Sequence, residues 1–164
     1  EIIRSLEKDV DAARFAAPEG KIALPVKLKT YESIFVPLAK WAMLLAGNYR
    51  CVTKDGMRTA QEAVNSNPEE ARAVYNFVFE LCVELGAKRE DLVPFEKYAA
   101  AAQSLTRPAS AARALQNGAP YIERADKLVQ LIARQKGKSN AAIDAQVGLV
   151  DARLEGNRKK AAGG

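Results

Sequence analysis

The run Asn67-Pro68-Glu69-Glu70, followed by Val74, Phe77, Val78, Leu81, Cys82 and Leu85 and then by Gly86, limits this chain more than any other segment. Asparagine caps a helix start by accepting from its orphan N–H groups, and proline at the first helical position gives up no hydrogen bond. Two glutamates then face the positive end of the helix dipole. The apolar residues recur three and four apart, the period of one helix face, and glycine supplies the left-handed stop. The segment therefore predicts a long helix buried along one side, and such a side needs other helices to cover it.

The same grammar repeats along the chain. Ile2, Ile3, Leu6, Val10 and Ala13 predict a first helix that Pro18 and Gly20 end. Pro37 opens a helix from Leu38 to about Asn48 with Leu38, Trp41, Ala42 and Leu45 on one face. Asp55 can cap a short helix from Gly56 to about Val64, and another begins near Asp91 or Pro94 and contains Phe95 and Tyr98. A short helix runs from Ala109 to Gln116, and Pro120 opens a long one that Gly137 closes. Ser139 or Asn140 caps a last helix stopped by Gly156, and the basic residues 157–164 are expected to be a disordered tail. One segment departs from this pattern. In Lys21 to Lys29, Ile22, Leu24, Val26 and Leu28 alternate with period two, but Pro25 restricts any strand to an edge, so an extended connector without a partner is expected. The fold class is all-α, a single multi-helix domain over 1–156 with one possible short extended segment.

Composition narrows the chemistry. With 164 residues, 48% hydrophobic and 27% charged, the chain reads as one globular domain, and no apolar run is long enough to span a membrane. It contains no histidine, which removes Ser/His/Asp and Cys/His catalysis and the commonest zinc ligand. Two cysteines, Cys51 and Cys82, make no disulfide framework and read as core residues suited to a reducing, cytoplasmic setting. The net charge of +5 is concentrated late, in Arg134, Lys136, Lys138 and Arg158-Lys159-Lys160. No aromatic residues are interleaved there, so a solvated face is expected rather than a nucleic-acid platform. There is no G-x-G fingerprint and no P-loop. A first residue of Glu suggests a piece of something longer.

Four polar residues stand on otherwise apolar ground. Lys40 lies among Leu38, Ala39, Trp41 and Ala42, and a lysine near burial can donate a proton or anchor a carboxylate. Asn48 follows eight residues later, on roughly the same side of the helix. Ser110 begins a helix after Thr106-Arg107-Pro108, and Glu123 follows Pro120. Each also has a plain structural reading: a lysine reaching to water, a helix-end asparagine, a helix-start serine, and an acid placed by the helix dipole.

Taken together, these residues resemble the C-terminal, substrate-binding domain of the ketopantoate reductase family. That domain belongs to the helical type found in 6-phosphogluconate-dehydrogenase-like reductases. The family has a lysine with asparagines one and two helical turns beyond it. Here Phe35-Val36-Pro37-Leu38-Ala39-Lys40-Trp41 supplies the lysine, Leu44 stands at the first asparagine position and Asn48 at the second. Ser110 to Leu115, the turn Gln116 to Pro120 and Tyr121-Ile122-Glu123-Arg124 are similar in order and length to the family's serine helix, glycine turn and glutamate. The likeness covers about Phe35 to Leu154 and leaves residues 1–30 outside it. It implies an NADP-dependent oxidoreductase acting on a small 2-oxo acid, with Lys40 as the acid and Asn48, Ser110 and Glu123 holding substrate. It also implies a homo-oligomer, a dimer, with NADP bound by a separate preceding domain. The alternative reading is a non-catalytic helical interaction domain whose basic surface binds an acidic partner.

Overall fold

The computed structural model describes residues 1–18, 20–23, 26–31, 33 and 35–162, and divides the chain into two compact units, Glu1–Ile34 and Phe35–Gly164. The second unit holds all the helices expected after Pro37, and the first holds the helix and extended segment expected before it.

In the first unit, helix α1 spans Ile2–Ala12, and strands β1 (Arg14–Ala17) and β2 (Gly20–Ala23) form an antiparallel hairpin. Ala13 takes extended angles, so the first helix ends well before Pro18. Gly20, at φ +121°, makes the turn that only glycine adopts freely. The expected connector without a partner is thus corrected in part. The backbone around Ile22 pairs with Arg14–Ala17, and Phe15 lies opposite Ile22. Pairing satisfies backbone groups that a lone strand would leave to water. Leu24 and Pro25 of that expected segment lie outside the described residues. Lys27 and Lys29 pair with Asp11 and Glu7, and the Thr30 N–H donates to Glu7 Oε2 at 3.0 Å. Ile2, Ile3 and Leu6 on α1 are exposed.

The second unit is almost wholly helical. Its centre is α5 (Pro68–Glu84), which starts and stops as its sequence predicts. The Asn67 side chain accepts from the Glu70 N–H at 3.2 Å, Pro68 occupies the first turn, and Gly86 at φ +111° follows the end. Gly86 has a second reason to be glycine, because a Cβ there would lie 3.1 Å from the Phe35 ring. Val74, Tyr75, Val78, Leu81 and Cys82 of α5 are buried. Around it lie α2 (Phe35–Leu38), α3 (Lys40–Met43), α4 (Ala60–Asn65) and α6 (Phe95–Ala102), followed by α7 (Ser110–Gln116), α8 (Ala125–Gln135) and α9 (Ala141–Ala162). Leu115, Val129, Val150 and Leu154 complete the core from α7, α8 and α9.

Three helix boundaries correct the sequence reading. Helix α4 begins at Ala60 rather than near Gly56, because Thr59 and Glu62 form a reciprocal capping box, with the Glu62 N–H to Thr59 Oγ1 at 3.0 Å and the Thr59 N–H to Glu62 Oε2 at 2.8 Å. Helix α8 begins at Ala125, not at Pro120, so Glu123 precedes the helix. The Tyr49 hydroxyl holds that approach by donating to the Glu123 carbonyl at 2.7 Å and accepting from the Ala125 N–H at 3.0 Å. Helix α9 continues past Gly156 to Ala162, so most of the expected disordered tail is helical. The cause is Asn157, a buried side chain whose amide donates to the Leu115 and Ala119 carbonyls at 2.9 and 3.0 Å. Among the described residues no helix is long and apolar enough to cross a membrane, and no cluster of side chains is suited to hold a metal ion.

Candidate functional site

Between α3 and Tyr49 the helix changes its winding. Leu44–Asn48 form a π turn, in which the Tyr49 N–H donates to the Leu44 carbonyl five residues back, and Tyr49–Cys51 tighten into a 3₁₀ turn. Such turns need local support, and here it comes from α6. The Tyr98 hydroxyl donates to the Met43 carbonyl at 3.0 Å, and its ring stacks on Tyr75 with centroids 5.5 Å apart. Gly47 makes room for it, since a Cβ at that position would lie 1.9 Å from the Tyr98 hydroxyl oxygen.

The π turn alters the relation between Lys40 and Asn48. Eight residues of ordinary α-helix would separate them by about 80° around the axis. A π turn takes up roughly one more residue per turn, which returns Asn48 close to the Lys40 side.

Asn48 lines a groove of about 400 Å³ together with Ser104, Thr106, Arg107, Ser110 and Arg113. Its far wall is the 104–109 loop, pinned by backbone bonds. The Arg107 and Leu105 carbonyls accept from the Ala60 and Gln61 N–H groups at 3.1 and 3.0 Å, which also satisfies the free amides at the start of α4. The buried Cys51 accepts from the Ala109 N–H at 3.4 Å and donates to the Gly47 carbonyl at 3.5 Å. Burial pushes the Cys51 thiol up, as it does Cys82, which reaches about 11. Both cysteines are therefore packing residues, and neither is an activated nucleophile.

The groove carries two guanidinium groups and no acidic side chain. Arg113 donates to the Pro108 carbonyl at 3.1 Å, and neither Arg107 nor Arg113 has a carboxylate partner among the described residues. Forked donors beside an asparagine amide and serine and threonine hydroxyls suit a small carboxylate, which a guanidinium binds through two parallel hydrogen bonds.

Of the four residues singled out from the sequence, the fold brings Asn48 and Ser110 to this groove. Lys40 is exposed and is not among the groove's lining residues, so the near-buried lysine expected from its apolar neighbours is corrected. The side chain of Glu123 is likewise exposed and outside the lining, although its backbone is tied to Tyr49, next to Asn48. Sequence reasoning missed Arg107 and Arg113. The available signal was their placement three residues before and three after Ser110, with Pro108 between.

Comparison of the chain with protein-family models, with curated proteins and with solved structures gave no match.

Proposed function

We propose that the second unit is the substrate-binding and dimerisation domain of an NADP-dependent, ketopantoate-reductase-like oxidoreductase acting on a small 2-oxo acid. The observation that carries this reading is the groove in which Asn48 and Ser110 meet beside Arg107 and Arg113 with no acid among its walls. The guanidinium groups take the substrate carboxylate, and the Asn48 amide and Ser110 hydroxyl fix its orientation. Lys40, on the Asn48 side of the helix, is assigned the proton for the ketone oxygen. Lys40 and Glu123 are the weaker members of the proposed set because both side chains lie outside the groove lining.

The described residues contain no strand, glycine-rich loop and helix arranged to cradle a dinucleotide. This chain's share is therefore to bind and orient the 2-oxo acid, and no hydride step is assigned to its residues. For dimerisation, Leu128 and Leu131 on α8 remain about half exposed and offer apolar surface to a second copy.

Calorimetric titration with 2-oxo acids such as ketopantoate tests the binding role. Arg113→Gln and Ser110→Ala are each expected to weaken binding by about tenfold, the value of one lost charge-assisted or substrate-facing hydrogen bond. Titration of the corresponding 2-hydroxy acid locates the carboxylate, which both molecules share. Absence of saturable binding, or equal affinity in the variants, contradicts the reading.

A further inference from the structure

The other side of the same turn faces a separate cavity. Asn48 lines the groove, whereas Tyr49 and Arg50 line a cavity of about 210 Å³ between the π turn, α5 and α9. Cavities near 150 Å³ already hold a molecule the size of benzene, so the space suffices for a short chain with a polar head. Leu45, Val74, Ile143 and Leu149 supply apolar walls.

Two arginines, Arg50 and Arg58, and two acids, Glu70 and Asp126, line this cavity, but neither acid is paired with Arg58. Arg50, almost fully buried, pairs with Glu70 at 2.7 Å and donates through Nε to the Ala63 carbonyl at 3.3 Å. The buried Asp126 is held by both nitrogens of the Arg124 fork, at 2.9 and 3.0 Å. Arg58 is left over. Its Nε donates to the Arg50 carbonyl at 2.8 Å, which holds the guanidinium in place, and its terminal nitrogens have no hydrogen-bond or ion-pair partner among the described residues. Burial, and then the charge of Arg50, lower the Arg58 pKa against the smaller opposing effects of Cys51, Glu70 and Glu62.

We propose that this cavity is a second small-molecule site, taking a short aliphatic monocarboxylate with its carboxylate on Arg58 and its chain against Leu45, Val74, Ile143 and Leu149. A cation is repelled by Arg58. A dianion gains little because Glu70 and Asp126 stand on the same walls. A single negative head on an apolar chain matches both the unpartnered fork and the lining. The site is separate from the 2-oxo acid groove and does not depend on the function proposed for it.

Hexanoate is the probe, with hexan-1-ol and hexylamine as chain-matched controls, titrated into the full chain and followed by calorimetry and amide NMR shifts. The expected result is saturable hexanoate binding that shifts amides around Arg58, Ile143 and Leu149, with both controls weaker by about tenfold or more. Arg58→Gln reduces hexanoate affinity to that of hexan-1-ol. Ala145→Phe, at an exposed α9 position lining the cavity, blocks the site without disturbing the core, and Ser110→Ala leaves hexanoate binding unchanged. Thermal melts confirm that each variant is folded, and the three-ligand comparison on the unmodified chain decides the matter if Arg58→Gln does not fold. No saturable hexanoate binding, binding no tighter than hexan-1-ol or hexylamine, or binding insensitive to Ala145→Phe overturns the proposal.

Discussion

At the scale of single residues, Gly47 and Tyr98 determine the geometry around Asn48. A methyl group at Gly47 meets the Tyr98 hydroxyl, which is itself held by the Met43 carbonyl and by stacking on Tyr75. Gly47→Ala is expected to destabilise the protein by about 1–3 kcal/mol, the usual cost of overpacking a filled core. In a Tyr98→Phe background the added cost should shrink, because the closest contact is with the removed oxygen, while the ring carbon behind it at 3.1 Å keeps part of the penalty. Denaturant melts of the four proteins in this cycle measure the difference, and equal costs in both backgrounds contradict the contact. None of this was legible in the sequence. Gly47 sits inside an apolar helical run, and its reason lies in a tyrosine more than fifty positions away. Arg50, buried, and Arg58, half-buried, were missed for a related reason, since arginine is mostly exposed and nothing local announces one drawn inward.

At the scale of elements, local chemistry was readable where it decided the outcome. Helix α5 begins and ends at its own cap, proline and glycine, and both signals lie within a few residues of the ends they set. The start of α8 was misjudged because Pro120 is a permissive signal, whereas the Tyr49 hydroxyl holding Glu123 and Ala125 is a tertiary one. The hairpin partner Arg14–Ala17 carries no period-two pattern, so only pairing with Gly20–Ala23 makes it a strand. For the groove, the resemblance pointed to Asn48 and Ser110, but Arg107 entered only as part of the segment before the Ser110 helix. The short α4 depends on its capping box, and its first amides also anchor the groove loop. Thr59→Ala should therefore cost about 1 kcal/mol by thermal melt. Hydrogen exchange at Ala60, Gln61 and Glu62 should accelerate with it, and unchanged exchange there contradicts the role given to the cap.

At the scale of the whole molecule, three of the five tyrosines share in the core of the second unit. Burial, followed by the Asp126 charge, pushes Tyr49 up to about 12, burial pushes Tyr75 to about 12, and burial raises Tyr98 as well. An unfolded chain releases these phenolic protons near the ordinary value of 10, earlier than the folded one. Their contribution to stability is therefore complete below about pH 10 and is lost as pH rises toward 12. Absorbance titration should show Tyr49, Tyr75 and Tyr98 ionising only together with loss of helix by circular dichroism. Ionisation of these three before the helix signal is lost contradicts the packing described. The proposal that the groove of Asn48, Arg107, Ser110 and Arg113 receives a 2-oxo acid meets its sharpest test in mapping amide shifts on titrating ketopantoate into the labelled protein. Saturable shifts centred on Asn48, the 104–110 loop and Arg113 are expected; shifts centred elsewhere, or none that saturate, contradict the proposal.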